Sequence, residues 1–284
     1  MDRTGPPEQV RTACSITSLH PVGGGSIAYS YRAQTPQGPV FVKTMEDPDP
    51  GFFAREAAGL RALTVPGGPA VPEVLYEHER ALVLRWIEPG QGGVPGQEED
   101  FGRRLAALHT RTGQLFGAVD DSTRGYLGSV PIDLTPEATW AESYLERRVY
   151  PLARQAFSRG LMATAQLEQV VWLVQHPEVC GPPEPPTLVH GDLWPGNRVV
   201  GRDGRSWLID PSAQYGHREL DLAVMRLFGG FSDRVFSAYR EAFPLAPGAE
   251  RRVPLHQLAM LLVHVLLFGR GYTPKVAQAL SRLA

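Results

Sequence analysis

The sequence predicts an α+β chain in two lobes, a small β-rich N-lobe at residues 1–88 and a larger, mainly helical C-lobe at residues 89–284. Three observations carry that expectation. Short apolar runs punctuated by Gly and Pro dominate the first part, and helical periodicity dominates the second. Within the second part the polar string His190-Gly191-Asp192-Leu193-Trp194-Pro195-Gly196-Asn197 follows an apolar approach, Leu188-Val189, and precedes another strand-like run that ends at Ile209-Asp210-Pro211.

Taken in order, Met1 to Cys14 is polar, carries Pro6-Pro7 and lacks the apolar core of a secretory signal, so it reads as a flexible lead-in. Ile16–Val22 and Ile27–Tyr31 flank Gly23-Gly24-Gly25-Ser26, a turn that can bring backbone N–H groups close to phosphates. Three glycines also make an ordinary hairpin. Ala28 stands where the third glycine of G-x-G-x-x-G would be, and no G-x-x-x-x-G-K-[ST] occurs, which disfavours a Walker-type NTPase. Val40-Phe41-Val42-Lys43 reads as a strand, and Asp47-Pro48-Asp49-Pro50-Gly51 as a turn. Phe53–Leu63 reads as a helix with Phe53, Ala57, Leu60 and Leu63 on one face and Glu56 inside it.

Of 28 basic residues only Lys43 and Lys275 are lysines. A lysine on a small-lobe strand is therefore a marked choice, because a compact ammonium on a flexible stem does what a forked guanidinium does not. In a kinase-type small lobe such a lysine grips the α- and β-phosphates of ATP, and a helix glutamate holds it in place. Ala81–Trp86 is a further strand, followed by Ile87-Glu88-Pro89-Gly90 and a loose Gly-rich run to Gly96. The main chain at Arg85, Trp86 and Ile87 would then face adenine as a hinge between lobes; a plain strand and linker fits the same residues. Phe101, Leu105 and Leu108 mark the next helix, Trp140–Gln155 and Leu161–Val174 two more, and Pro182–Pro186 a stiff connection into the polar string. Leu258–Phe268 is a buried helix, too short to span a bilayer.

Bulk properties narrow the function. A hydrophobic content of 43% supports a packed core, and a formal charge of −2 gives no electrostatic case for nucleic acid or a membrane surface as partner. Cys14 and Cys180 lie far apart without metal-ligand spacing, which argues against a disulfide framework or a zinc site and fits a reducing, cytoplasmic setting.

Asp192 and Asn197 form Asp-x-x-x-x-Asn, with Pro195-Gly196 as the tight turn between them and Asp210 after the run Ser206–Ile209. Phosphoryl transfer needs one carboxylate to accept or orient the proton of the attacking hydroxyl. It also needs an amide oxygen and a second carboxylate to hold Mg²⁺ against the nucleotide phosphates. The pattern predicts a kinase of the two-lobed, protein-kinase-like fold.

With these residues assembled, the chain resembles the fructosamine 3-kinase (ketosamine 3-kinase) family within the aminoglycoside-phosphotransferase-like kinases. His190-Gly191-Asp192 suggests the wider group. Leu193–Asn197, Asp210-Pro211, Tyr215-Gly216-His217, Phe228-Gly229-Gly230-Phe231 and Phe268-Gly269-Arg270-Gly271-Tyr272 suggest the narrower one. The similarity runs from about residue 16 to the C-terminus. It implies Asp192 as base, Asn197 and Asp210 as metal ligands, Lys43 with Glu56 as the phosphate-positioning pair, and Trp194 beside the sugar, where a core tryptophan is the rival reading. It also implies that Asp221 braces the catalytic loop and that His190 orients it; His217 and His264 stay unassigned. Ser26 stands where some relatives carry cysteine, and Leu266 where many would carry a polar residue.

The implied activity is ATP- and Mg²⁺-dependent phosphorylation of the 3-hydroxyl of a ketosamine, free or as a glycated protein amine, leading to deglycation. A kinase for aminoglycosides or another amino-alcohol shares the same nucleotide machinery, and a silent nucleotide-binding module is the reading outside the enzymes. The joint presence of Lys43, Glu56, Asp192, Asn197 and Asp210 speaks against silence.

Overall fold

Alternating burial along the first strands builds an antiparallel sheet with two covered faces. The computed structural model describes residues 5–23 and 27–283; Gly24, Gly25 and Ser26 of the expected phosphate turn lie outside the described residues, as do Met1–Thr4. Strands β1 (Ser18–Pro21), β2 (Tyr29–Thr35), β3 (Gly38–Thr44), β4 (Val74–His78) and β5 (Ala81–Arg85) pair in the order β1-β2-β3-β5-β4. Tyr31, Ala33, Val40, Val42, Ala81 and Val83 share one buried cluster with Val10 of helix α1 (Glu8–Ala13). The lead-in expected to be flexible is thus partly a helix, because Val10 has an apolar sheet face to cover.

The opposite face carries Leu82 and Leu84, packed under Phe53, Ala57 and Leu60 of helix α2 (Phe52–Leu63). The period of two in β3 puts Phe41 and Lys43 on this side, since Val40, Val42 and Thr44 take the other. A helical period in α2 buries Glu56 beside Phe53, Ala57 and Leu60. These two periodicities bring the lysine and the glutamate together.

Beyond β5 the chain is not simply loose. Gly90 N–H donates to Val200 O (2.9 Å) and Arg202 N–H to Glu88 O (2.8 Å), which pins the linker to the hairpin of β10 (Arg198–Val200) and β11 (Ser206–Leu208). Helix α3 (Gln97–Leu108) follows. Next come β6 (Gly117–Ala118) and a hairpin of β7 (Arg124–Leu127) and β8 (Val130–Asp133). The expected helix at Trp140–Gln155 starts as a π-helix, Glu142–Val149, and continues as α4 (Tyr150–Ser158); α5 spans Thr164–Gln175.

Strand β9 (Thr187–Val189) delivers the polar string and pairs with β12 (Gln214–Gly216), which pairs in turn with β6. Helices α6 (Glu219–Leu227), α7 (Asp233–Ala242), α8 (Ala249–Phe268) and α9 (Thr273–Ser281) complete the lobe. Its core gathers around α8, whose Leu255, Leu258 and Leu262 are fully buried. By length and composition the stretch Ala249–Ser281 is apolar enough to cross a membrane, yet 67% of its apolar window is buried inside the lobe. Leu266 belongs to that buried core, where a polar side chain would have no place.

Candidate active site

The loop after β9 is held from below by one carboxylate. Asp221, fully buried on α6, accepts hydrogen bonds from the main-chain N–H groups of His190 and Gly191, each at 2.8 Å, and pairs with His109 Nε2 at 3.2 Å. Gly191 has φ +81°, and a Cβ there would come within 2.1 Å of Ser212 O, so the loop turns here only with glycine. The His190 ring donates from Nε2 to Ile209 O (3.0 Å) while Nδ1 accepts the Asp192 N–H (3.3 Å). It ties the loop to the strand end that carries Asp210. Burial lowers the pKa of His190, which suits this neutral, orienting tautomer.

Asp192, Asn197 and Asp210 converge above this brace. The Asn197 amide donates from Nδ2 to Asp192 O (2.9 Å), to the Asp192 carboxylate (3.3 Å) and to Asp210 O (3.4 Å). All of these use the nitrogen, which leaves Oδ1 as the atom available to a cation. Asp210 sits at φ +52°, uncommon for a residue other than glycine, and its carboxylate is partly open to solvent. Lys43 Nζ bridges Glu56 Oε2 (2.8 Å) and Asp210 Oδ1 (3.1 Å).

The charges are unevenly compensated. Burial acts to lower the Lys43 pKa, but the charges of Asp210 and Glu56 outweigh it and hold the ammonium above its ordinary value. Glu56 is pushed up to about 7, by burial first, against the pull of Lys43. Asp192 is raised to about 8 by burial and then by the charge of Asp210, with Asn197 opposing.

These groups open on one cavity of about 420 Å³. Lys43, Glu56, Asp192, Trp194, Asn197 and Asp210 all line it; Arg85, Trp86, Ile87 and Gly23 do not. Arg85 is turned outward to Glu73, and its N–H donates to Glu73 O (2.9 Å). The Trp86 ring lies under the Arg32 guanidinium at 5.3 Å. Trp194 is 41% exposed and is not a core residue. Its indole lies flat over Gly196, where a Cβ would meet the ring at 2.2 Å, and meets the edge of Phe228 at 6.2 Å.

The family model for fructosamine kinases matches residues 6–284. This chain belongs to the fructosamine kinase family. A probable ketoamine kinase of Thermus thermophilus is 39% identical over 261 residues, 92% of each chain. The chloroplastic protein-ribulosamine 3-kinase of Arabidopsis thaliana is 33% identical over 268 residues, 92% of this chain and 80% of that one. A solved structure described as a candidate fructosamine-3-kinase, from Thermobifida fusca, superposes with a TM-score of 0.88 at 38% identity over 97% of both chains. The aminoglycoside phosphotransferase APH(4)-Ia shares the fold, with a TM-score of 0.65 at 14% identity over 97% of this chain and 95% of that one. The protein is a kinase with the two-lobed, protein-kinase-like fold.

The cavity also takes residues that no motif marks. Phe52 and Arg55 of α2 face Tyr126 and Asp120 across the cavity, with Phe52 and Tyr126 ring centroids 4.9 Å apart and Arg55 ion-paired to Asp120. The β7–β8 hairpin therefore closes one wall. Its sequence signal was present in Gly125-Tyr126-Leu127 and Val130-Pro131-Ile132 around a Gly128-Ser129 turn. His264 lies outside the cavity, among Phe228, Phe268 and Tyr272. His217 is buried under the site, stacked on His256 at 5.0 Å.

Proposed function

We propose that this kinase uses ATP and Mg²⁺ to phosphorylate the 3-hydroxyl of a ketosamine, the Amadori-type adduct of a sugar on an amine. The observation that carries the reading is the convergence of Asp192, Asn197 and Asp210 with the Lys43–Glu56 pair and an open tryptophan on one cavity. The match to fructosamine kinases and the ribulosamine 3-kinase relative support the acceptor class.

In this reading Asp192 orients the acceptor hydroxyl and takes its proton. Lys43, held by Glu56, meets the α- and β-phosphates. Asn197 Oδ1 and the Asp210 carboxylate are hard oxygen donors of the kind Mg²⁺ takes, and the partial exposure of Asp210 leaves room for it. Bound there, Mg²⁺ would neutralise phosphate charge. Neutralising Asp210 also removes the second cause that raises Asp192, so the base ionises when a cation is held beside it. Gly23–Ser26 would cover the phosphates, and the main chain of Arg85–Ile87 would take adenine, at a lobe division near residue 88. Trp194 supplies an apolar wall for the sugar.

Phosphate on C3 turns a poor leaving group into a good one. The enaminol form of the product expels it, and hydrolysis then frees the amine, so the outcome is deglycation of small amines or protein lysines. The unpaired Cys14 and Cys180 are consistent with a reducing, cytoplasmic setting. The test is ATP turnover against a panel of fructosamines, ribulosamines and aminoglycosides, with ³¹P and ¹H NMR of the product. Phosphate on the sugar O3 followed by amine release is expected; reaction with an aminoglycoside and with no ketosamine would overturn the reading.

A further inference from the structure

Among the described residues no carboxylate pairs with the buried guanidinium of Arg148. It sits in the π-helix with 1% of its surface exposed, and neither Nε nor Nη2 has a hydrogen-bond partner among the described residues. The other two buried arginines among the described residues each fork a carboxylate: Arg218 takes Glu184 and Arg252 takes Glu219. Arg148 has only the rings of Trp140 and Tyr144, 5.9 and 5.7 Å away. Cation–π attraction of this kind offsets only part of the desolvation of an unpaired ion. Burial holds the guanidinium down to about 10, with Tyr144 and then Asp133 pulling the other way.

The side chain borders a second cavity, of about 470 Å³, between the β7–β8 hairpin and the π-helix with α4. Arg124 and Arg147 line it too, with Thr123, Thr135 and Gln155 as neutral hydrogen-bonding groups. Asp133 is the one carboxylate in the lining and is shared with Arg147, which also pairs with Glu137. Arg124 pairs with Asp49, so of the three guanidinium groups in the lining Arg148 alone has no carboxylate partner among the described residues, an unmatched positive charge that an anion would answer. A π-helix is a wide, rare turn that is frequent at functional sites, and here both Arg147 and Arg148 of the π-helix line the cavity wall.

We propose that this cavity is an anion site for a phosphoryl group, with the Arg148 guanidinium as its central ligand. It lies on the other side of the hairpin from the kinase cavity: Gly125, Tyr126 and Gly128 face the kinase side, Thr123, Ile132 and Asp133 face this one, and Arg124 borders both. The occupant is either free phosphate or a small phosphorylated molecule.

The test is calorimetry and thermal unfolding of the full chain with inorganic phosphate, against chloride at equal ionic strength. Phosphate at a hundredfold excess over Kd should raise the wild-type Tm by about 5–10 °C. In Arg148→Met the response should vanish, and the phosphate-free Tm should exceed that of the wild type because an unpaired buried charge is gone. Gln155→Glu supplies an internal carboxylate, and it should raise the phosphate-free Tm and blunt the response; it carries the test if Arg148→Met fails to fold. Lys43→Met, altered in the kinase cavity, should respond like wild type. Glucose 6-phosphate acting at lower concentration than phosphate would assign a phosphorylated molecule, and equal action free phosphate. A phosphate response that survives Arg148→Met, or none in wild type while Arg148→Met lowers the Tm, would overturn the site.

Discussion

Asp192, in the catalytic loop, and Glu219, on the helix α6 that braces it, are driven in opposite directions by their surroundings. In the loop, Asp192 is raised to about 8 because it is buried beside Asp210, with the Asn197 amide and then Lys43 offsetting only part of the effect. Below it, burial would raise Glu219 as well, but His256 and Arg252 outweigh burial and hold it at about 2. Both Glu219 oxygens accept from the Arg252 guanidinium, at 2.6 and 2.9 Å. The Glu219 carboxylate is therefore satisfied without a metal, although His217 and His256 bring ring nitrogens within 4.8 Å of it. The layer below is compensated pair by pair, with Arg218 on Glu184 and Asp221 on His109 and two main-chain N–H groups. The layer above is left short of positive charge. A site that must receive Mg²⁺ and a nucleotide gains from that deficit, whereas the support that positions it cannot tolerate one.

The largest effect expected from breaking this contrast is on rate. Asp192→Asn should lower kcat by about 10² to 10⁴ while leaving nucleotide affinity near wild type, because it removes a base but no fold contact. The same variant should unfold no lower than wild type, since a carboxylate raised by burial is a cost of folding once ionised. A loss of turnover that tracks a loss of Tm would contradict the role.

Glu219→Gln should do the reverse. It leaves Arg252 buried without its counter-charge and should cost about 3–5 kcal/mol of stability, read from denaturant unfolding. Any fall in kcat per folded molecule should be minor. Equal stability in this variant would show that the lower layer is not the support described.

The pH dependence separates the two layers without mutation. Glu219 has a depressed folded pKa, so its contribution is present above about 4.5 and is lost as pH falls through about 2, a change of about 3 kcal/mol. Asp192 has a raised folded pKa, so its contribution is present below about 4 and is lost as pH rises through about 8. Unfolding free energies from pH 2 to 9 should be flatter below pH 4.5 in Glu219→Gln and flatter between pH 4 and 8 in Asp192→Asn. Profiles parallel to wild type would remove both assignments.

The smallest effect is expected at the rim. Trp194→Ala should reduce kcat/KM for a ketosamine several-fold, in line with about 1 kcal/mol for aromatic contact, with KM for ATP nearly unchanged. Equal losses on both substrates would place the indole with the nucleotide instead.

Much of this was written in short-range pattern. The strand at Val40–Lys43, the helix at Phe53–Leu63 and the Asp192–Asn197–Asp210 string follow from periodicities of two and 3.6 and from a turn with Pro and Gly between fixed polar positions. Those signals reside in neighbouring residues and survive without knowledge of what packs where. Tertiary structure alone decided the rest. It turned a lead-in expected to be flexible into α1 because Val10 found a sheet face, and it put Trp194 at the cavity rim with its ring over Gly196. It brought Arg55 to Asp120, 65 positions along the chain, and left Arg148 buried beside the stacked rings of Trp140 and Tyr144 with no carboxylate partner among the described residues, while Arg252 reached Glu219. Compensation of a buried charge depends on which distant side chains the fold delivers to it, and no local spacing encodes that.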